Sequence, residues 1–126
     1  FNFDPAAGII YTVDVTKPKG EKVTITSMAD GTPFSLDKIY KVALNSYRGN
    51  GGGELLTKGS GISQDELKDR ILYSTDKDLR YYLMQYIEKK GVIEPHALGQ
   101  WKFIPEEWVE PAAKRDYEYL FGKVEK

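Results

Sequence analysis

The sequence has no cysteine and a single histidine in 126 residues. Without cysteine there are no disulfides, thiolate metal sites or cysteine nucleophiles, and the redox compartment stays open. The one histidine, His96, sits in Glu94-Pro95-His96, a stretch that reads as loop. Dinuclear phosphoesterase centres and histidine-based triads draw on several histidines or on a matched base and nucleophile, which this chain cannot supply alone. His96 therefore reads as an exposed loop residue. Neither sign of charge dominates: 18 basic and 19 acidic residues leave a net charge of −1. The two signs are interspersed, so no basic patch favours a nucleic-acid polymer as partner. No run approaches the about 20 apolar residues of a membrane-spanning helix. The N-terminus lacks a basic region followed by an apolar one. It opens on Phe1-Asn2-Phe3 without an initiator methionine, the start expected of a processed product or a piece of a longer chain. Length and an apolar share of 40% fit one domain or part of one.

Glycine, in contrast, is concentrated. In Asn45-Ser46-Tyr47-Arg48-Gly49-Asn50-Gly51-Gly52-Gly53-Glu54, four of five consecutive positions are glycine. A hairpin turn needs one or two residues of positive φ, and each further glycine adds about 0.5–1 kcal/mol of backbone entropy for folding to overcome. So much glycine implies close approach to the backbone, and Tyr47 beside it offers a flat π-face on which a planar ligand can stack. The glycines at 49 and 51 also fit a purely conformational role. The loop is not a phosphate cradle of the common kinds. Thr57-Lys58-Gly59 scrambles the Gly-Lys-Ser/Thr order of a Walker loop, and the glycines never reach dinucleotide-binding spacing.

Around this loop the pattern predicts an α+β fold with an antiparallel-rich mixed sheet and packed helices. Gly8–Val15 is β-branched and aromatic, and Lys17-Pro18-Lys19-Gly20 is a strong turn signal. Lys22–Met28 alternates with period two, which completes a hairpin. Ile39–Asn45 reads as a third strand delivering Tyr47 to the glycine loop. Gln64–Ile71 predicts one or two helical turns. A firmer helix runs from Asp76 to Lys89, capped by Ser74-Thr75 and stopped at Gly91, with Leu79, Tyr82, Leu83, Tyr86 and Ile87 as its core-facing stripe. Trp101–Ile104 is a short strand cut off by Pro105, and Pro111 opens a terminal helix through Phe121. Trp101 and Trp108 are expected to pack.

Several of these segments together resemble a known family. Phe3 to Gly8 leading into Tyr11-Thr12-Val13-Asp14, then Lys17-Pro18-Lys19-Gly20, Asp37-Lys38-Ile39-Tyr40-Lys41-Val42 and Asn50-Gly51-Gly52-Gly53 are similar to the C-terminal, substrate-binding domain of 5′-nucleotidases and 2′,3′-cyclic-nucleotide 2′-phosphodiesterases. The resemblance runs in order over about the first half of the chain. It implies that residues 1–95 are the later part of that domain and 96–126 an extension packing on it. It also implies a nucleoside or nucleotide as ligand, a separate N-terminal metallophosphoesterase domain as partner, and a periplasmic or cell-surface location. Divalent metal ions and hydrolysis belong to that other domain, so this chain is expected to hold no cofactor and no catalytic residue. The base is stacked between two rings, Phe3 and Tyr47 by motif position.

One departure concerns the loop. The family pattern is Gly-Gly-Asp-Gly followed by an aromatic, with the aspartate on a sugar hydroxyl, whereas this chain reads Gly51-Gly52-Gly53-Glu54-Leu55. Gly53 stands where the aspartate belongs, and either Glu54 reaches round to replace it or the ligand differs. The expected substrate-binding set is Phe3, Tyr47, Gly52, Gly53 and Glu54. Phosphate-clamping arginines lie upstream in the family and have no counterpart here. The resulting expectation is the recognition part of a nucleotide phosphoesterase; the alternative is a non-catalytic small-ligand or protein-binding module derived from it. An apolar face is expected either to be covered by the Trp101–Phe121 tail or to pair in a homo-oligomer.

Overall fold

A computed structural model describes residues 4–122. They divide into two compact units, one of residues 4–38 with 97–122 and one of residues 39–96.

The first unit is built on a three-stranded sheet in the order β2-β1-β3, with β1 at Ile9–Asp14, β2 at Val23–Met28 and β3 at Trp101–Ile104. β1 and β2 form the expected antiparallel hairpin, with an irregularity of register between Ile10 and Tyr11. β3 lies parallel to β1 on its other edge, pairing Tyr11 with Trp101 and Val13 with Phe103. A parallel partner cannot follow through a tight turn, which is why it comes from far along the chain. Alternation along β1 buries Tyr11 and Val13, at 6% and 7% exposure. Across the ladder Tyr11 stacks on Trp101 with ring centroids 6.0 Å apart. Trp101 in turn meets the edge of Phe103 at 5.1 Å. The expected packing of Trp101 and the expected short strand are thus both present.

Helix α4, Glu106–Phe121, follows β3 directly. It begins five residues earlier than Pro111 suggests. Pro105 precedes it, Glu106 and Glu107 occupy its first turn where carboxylates suit the positive helix end, and the Trp108 and Val109 amides donate to the Pro105 carbonyl. Pro111 lies inside the helix rather than at its start. The tail was expected to bury Trp108, but that side chain is 62% exposed, and Tyr119, Leu120 and Phe121 are exposed with it.

The second unit holds three helices, α1 at Ser46–Gly49, α2 at Gln64–Asp69 and α3 at Leu79–Lys90. Between α1 and α2 the chain makes a tight 3₁₀ turn at Gly52–Glu54 and a wide π turn at Leu55–Gly59. The expected strand at Ile39–Asn45 does not form. Its residues join no ladder, and Ile39 is 93% exposed. A nearly continuous apolar run has no period of its own, and a strand exists only where another strand takes its hydrogen bonds. Asn45 ends the stretch by turning its side chain to cap α1.

α3 forms where its pattern predicts and stops at Gly91, but its cap is Asp78, whose carboxylate accepts from the Tyr81 amide at 3.0 Å, not Ser74 or Thr75. Asp78 immediately precedes the first helical residue, the position from which a side-chain oxygen reaches the free amides of the first turn. The stripe of Leu79, Tyr82, Leu83, Tyr86 and Ile87 is exposed rather than buried. Period 3.6 located the helix, but it does not say what lies opposite an apolar stripe, and no residue of α3 is buried.

Candidate functional site

The glycine loop is the part of the second unit whose side chains converge. Asn45 caps α1 by accepting from the Arg48 amide at 2.8 Å. This fixes Tyr47 and Arg48 on the single turn of α1, so Tyr47 emerges from a helix and not from a strand. The chain then reverses through Gly51 (φ +88°), Gly53 (φ +71°) and Glu54 (φ +61°). Positive φ at two of these positions explains glycine there; at Glu54 the same conformation is carried by a residue with a Cβ.

Gly52 is glycine for a different reason. A Cβ on it would lie 2.5 Å from the Tyr47 carbonyl oxygen and 2.6 Å from Cδ2 and Cε2 of the Tyr47 ring. The bare backbone of Gly52 is therefore the surface against which that ring rests. A Cβ on Gly51 would meet Gln64 Oε1 at 2.8 Å, and Gln64 Nε2 donates to the Asn50 carbonyl at 2.9 Å. Gly49 has open space around it, so close packing explains Gly51 and Gly52 but not Gly49.

Arg48 is buried to 7% exposure. Its Nη1 donates to the Gly52 carbonyl at 3.1 Å, and its guanidinium carbon lies over the Tyr47 ring, 5.3 Å from the centroid. Tyr47 itself remains 55% exposed. Beneath the turn, Leu67 of α2 is buried. α2 is secured by a reciprocal cap in which Ser63 Oγ accepts from the Glu66 amide while Glu66 takes the Ser63 amide and hydroxyl. Those two Ser63 bonds hold the Glu66 carboxyl below its ordinary value, the backbone one foremost.

Four of the loop's amides are engaged within the turn. Those of Gly49, Asn50, Gly51 and Glu54 donate to the carbonyls of Asn45, Ser46, Arg48 and Gly51. An anion cradle needs such amides free, and these four are engaged; beside them the loop presents a ring face and bare backbone. Glu54 is on the surface, paired with Lys58 at 2.7 Å.

Of the expected binding residues, the structure brings Tyr47 and Gly52 into contact and places Gly53 and Glu54 on the same turn. Phe3 lies outside the described residues. His96 is exposed, its Nδ1 3.2 Å from the Glu94 carbonyl. Among the described residues no three of histidine, aspartate and glutamate gather as a metal site would require, and no helix is long and apolar enough to cross a membrane. In the sheet unit, a cavity of about 350 Å³ is lined by Pro5, Ala6, Ala7, Leu98 and Trp101 among others. It offers shape but no ionisable group. Sequence reasoning missed the roles of Arg48, Gln64 and Leu67. Burial of an arginine leaves no local signature, but Ser63-Gln64-Asp65-Glu66 is a legible capping box that places α2, and with it Gln64 and Leu67.

The family described as "5′-nucleotidase, C-terminal domain" matches residues 2–58. The trifunctional nucleotide phosphoesterase protein YfkN of Bacillus subtilis is 30% identical over 116 residues, covering 83% of this chain and 7% of its own length. The 2′,3′-cyclic-nucleotide 2′-phosphodiesterase/3′-nucleotidase of Haemophilus influenzae is 29% identical over 120 residues, covering 83% of this chain and 17% of its own length. The chain thus spans less than a fifth of either curated relative. No solved structure matches it.

Proposed function

Residues 2–58 make the chain a member of the 5′-nucleotidase C-terminal domain family, and on that premise we propose that it is the nucleoside-recognition part of a 5′-nucleotidase-type phosphoesterase. In this reading the base stacks on the exposed face of Tyr47, with Phe3 as the second ring. Gly52, Gly53 and Glu54 border the sugar. The observation that carries the reading is the half-exposed Tyr47 ring resting on the bare backbone of Gly52. Stacking is tolerant of base identity and contributes about 1–3 kcal/mol per base. In this proposal residues 1–95 are the later part of the substrate-binding domain and 96–126 an extension on it; the pairing of β3 with β1 supports the packing of that extension.

Phosphate-ester hydrolysis belongs, in this proposal, to a separate metallophosphoesterase domain that supplies metal-activated water. This chain orients the base relative to that centre. A periplasmic or cell-surface setting completes the proposal. Calorimetric titration with adenosine tests it, with Tyr47→Ala as the control. Saturable binding that weakens by about 5- to 150-fold in the variant supports stacking. Equal binding by both proteins refutes it.

A second reading rests on Gly53 and Glu54. The loop lacks the family's aspartate, and the neighbouring carboxylate is paired with Lys58. That favours a module that has shed ribose recognition for another small ligand or a protein. Titration with 2′-deoxyadenosine beside adenosine separates the two, because a ribose-reading site discriminates and a derived module does not.

A further inference from the structure

We propose that Arg48 is a positioning residue that holds the Tyr47 ring in its stacking orientation; the inference rests on the nucleoside-recognition reading above. Arg48 is the buried charged side chain of the described residues, and its surroundings show what it is held by. A buried guanidinium must be hydrogen-bonded, and no buried side-chain nitrogen or oxygen among the described residues lacks a partner. One of its bonds is to the Gly52 carbonyl, in the turn whose backbone the Tyr47 ring touches. Its cation also lies over that ring, within the distance at which the ring quadrupole attracts it.

Arginine, glycine backbone and tyrosine ring therefore close a cycle of three contacts. Arg48 fixes the Gly52 carbonyl, Gly52 abuts Cδ2 and Cε2 of the ring, and the ring is drawn to the guanidinium. With the cation over one face, the opposite face is the one left for a nucleobase. Arg48 follows Tyr47 directly on α1 and their shared helical turn is capped by Asn45, so the pair moves as one. The planar fork of arginine suits a carbonyl and a ring face together better than the ammonium of lysine does. Its role is to act through Tyr47, without touching the ligand.

The test uses the 126-residue chain, adenosine as probe, and Arg48→Met, Arg48→Lys and Tyr47→Ala. Arg48→Met is expected to weaken adenosine on the order of tenfold. It should also abolish the nuclear Overhauser contact between the Tyr47 ring protons and the Gly52 α-protons. Arg48→Lys, which keeps the cation and one donor, is expected to recover affinity to within about threefold of the parent and to restore that contact. A residue needed only for folding would instead shift the resonances of α2 and Leu67, and lysine would rescue fold without rescuing affinity. If Tyr47→Ala loses binding while Arg48→Met binds like the parent, the positioning role is overturned and the stacking reading stands. If the parent does not bind adenosine, or Tyr47→Ala binds as well as the parent, the stacking reading falls. The ring contact then decides for Arg48: its persistence in Arg48→Met overturns the positioning role, and its loss with recovery in Arg48→Lys sustains it.

Discussion

Replacing Gly52 by alanine isolates the contact on which the site depends. Gly52 does not have positive φ, so a methyl group there strains no backbone angle of its own. Its whole effect comes from the neighbours, 2.5 Å to the Tyr47 carbonyl oxygen and 2.6 Å to two ring carbons. A ring can swing aside, but a carbonyl oxygen belonging to the backbone of α1 cannot move without shifting the helix turn. Overpacking of this kind costs about 1–3 kcal/mol, which corresponds to about 5- to 150-fold faster hydrogen exchange of amides protected by the turn. The amides to follow are those of Asn50, Gly51 and Glu54, which are bonded within it. The Asp14 amide, bonded to the Lys22 carbonyl in the sheet unit, serves as an internal reference. Gly49→Ala is the matched control, since a Cβ there meets nothing within 4 Å and its φ is not positive. It should leave exchange unchanged or slow it slightly, by the about 0.4–1 kcal/mol that removing a flexible residue contributes. Turn amides in Gly52→Ala that exchange at the parental rate, or equal effects of the two substitutions, would refute the packing argument.

The reciprocal cap of α2 makes its stability depend on pH. Glu66 releases its proton more readily in the folded chain than at its ordinary value of 4.5, mainly because of the Ser63 amide and hydroxyl. The unfolded chain therefore binds more protons near that pH, so the contribution is complete above pH 4.5 and is lost as pH falls through the lower, folded value. The protection of α2 amides, corrected for the intrinsic slowing of exchange in acid, should fall on acidification in the parent and show a flatter profile in Ser63→Ala. Asp78→Ala should destabilise α3 by about 1 kcal/mol and lower far-ultraviolet helicity, whereas Ser74→Ala should leave it unchanged. Gly53→Asp restores the family's acidic position in a backbone conformation that aspartate tolerates. Under the nucleoside reading, calorimetry should show it raising the preference for adenosine over 2′-deoxyadenosine by about 5- to 150-fold, the worth of one added hydrogen bond to a buried hydroxyl; no change would remove ribose from the neighbourhood of residue 53.

Where local chemistry decides structure, it was legible in the sequence. The Lys17–Gly20 turn and the alternation of Lys22–Met28 located the hairpin, and Gly91 located the end of α3. β3 was readable from four residues because Pro105 bounds it. Ile39–Asn45 and the α3 stripe were misread for one reason. Both inferences took an apolar pattern as proof that a partner lies opposite, and pattern carries no information about the partner. Asp78 was passed over as a cap because two hydroxyls stood nearby, although only the residue adjoining the first helical turn can reach its amides. For the site, the loop and its tyrosine stood out in the sequence. The burial of Arg48 did not, because it results from α1 packing on the turns Gly52–Glu54 and Leu55–Gly59 that follow it.

The engaged amides of the turn bear on what kind of ligand the loop suits. A glycine-rich turn can serve recognition in two physically different ways. It can point several N–H groups at an anion, or it can remove side chains so that something flat comes close. Here the first use is excluded for Gly49, Asn50, Gly51 and Glu54, whose amides close the turn on itself. What the turn presents outward is the Tyr47 ring, packed against Gly52 and with a cation over one side. Under the nucleoside reading, an aspartate in place of Gly53 would add one directional contact to that face, and its absence removes direction without removing the face. A loop of this construction should hold a planar group with little regard to which one, and owe its selectivity to whatever binds the rest of the ligand. That is the division of labour expected when one part of a protein presents a base and another performs the chemistry on its phosphate.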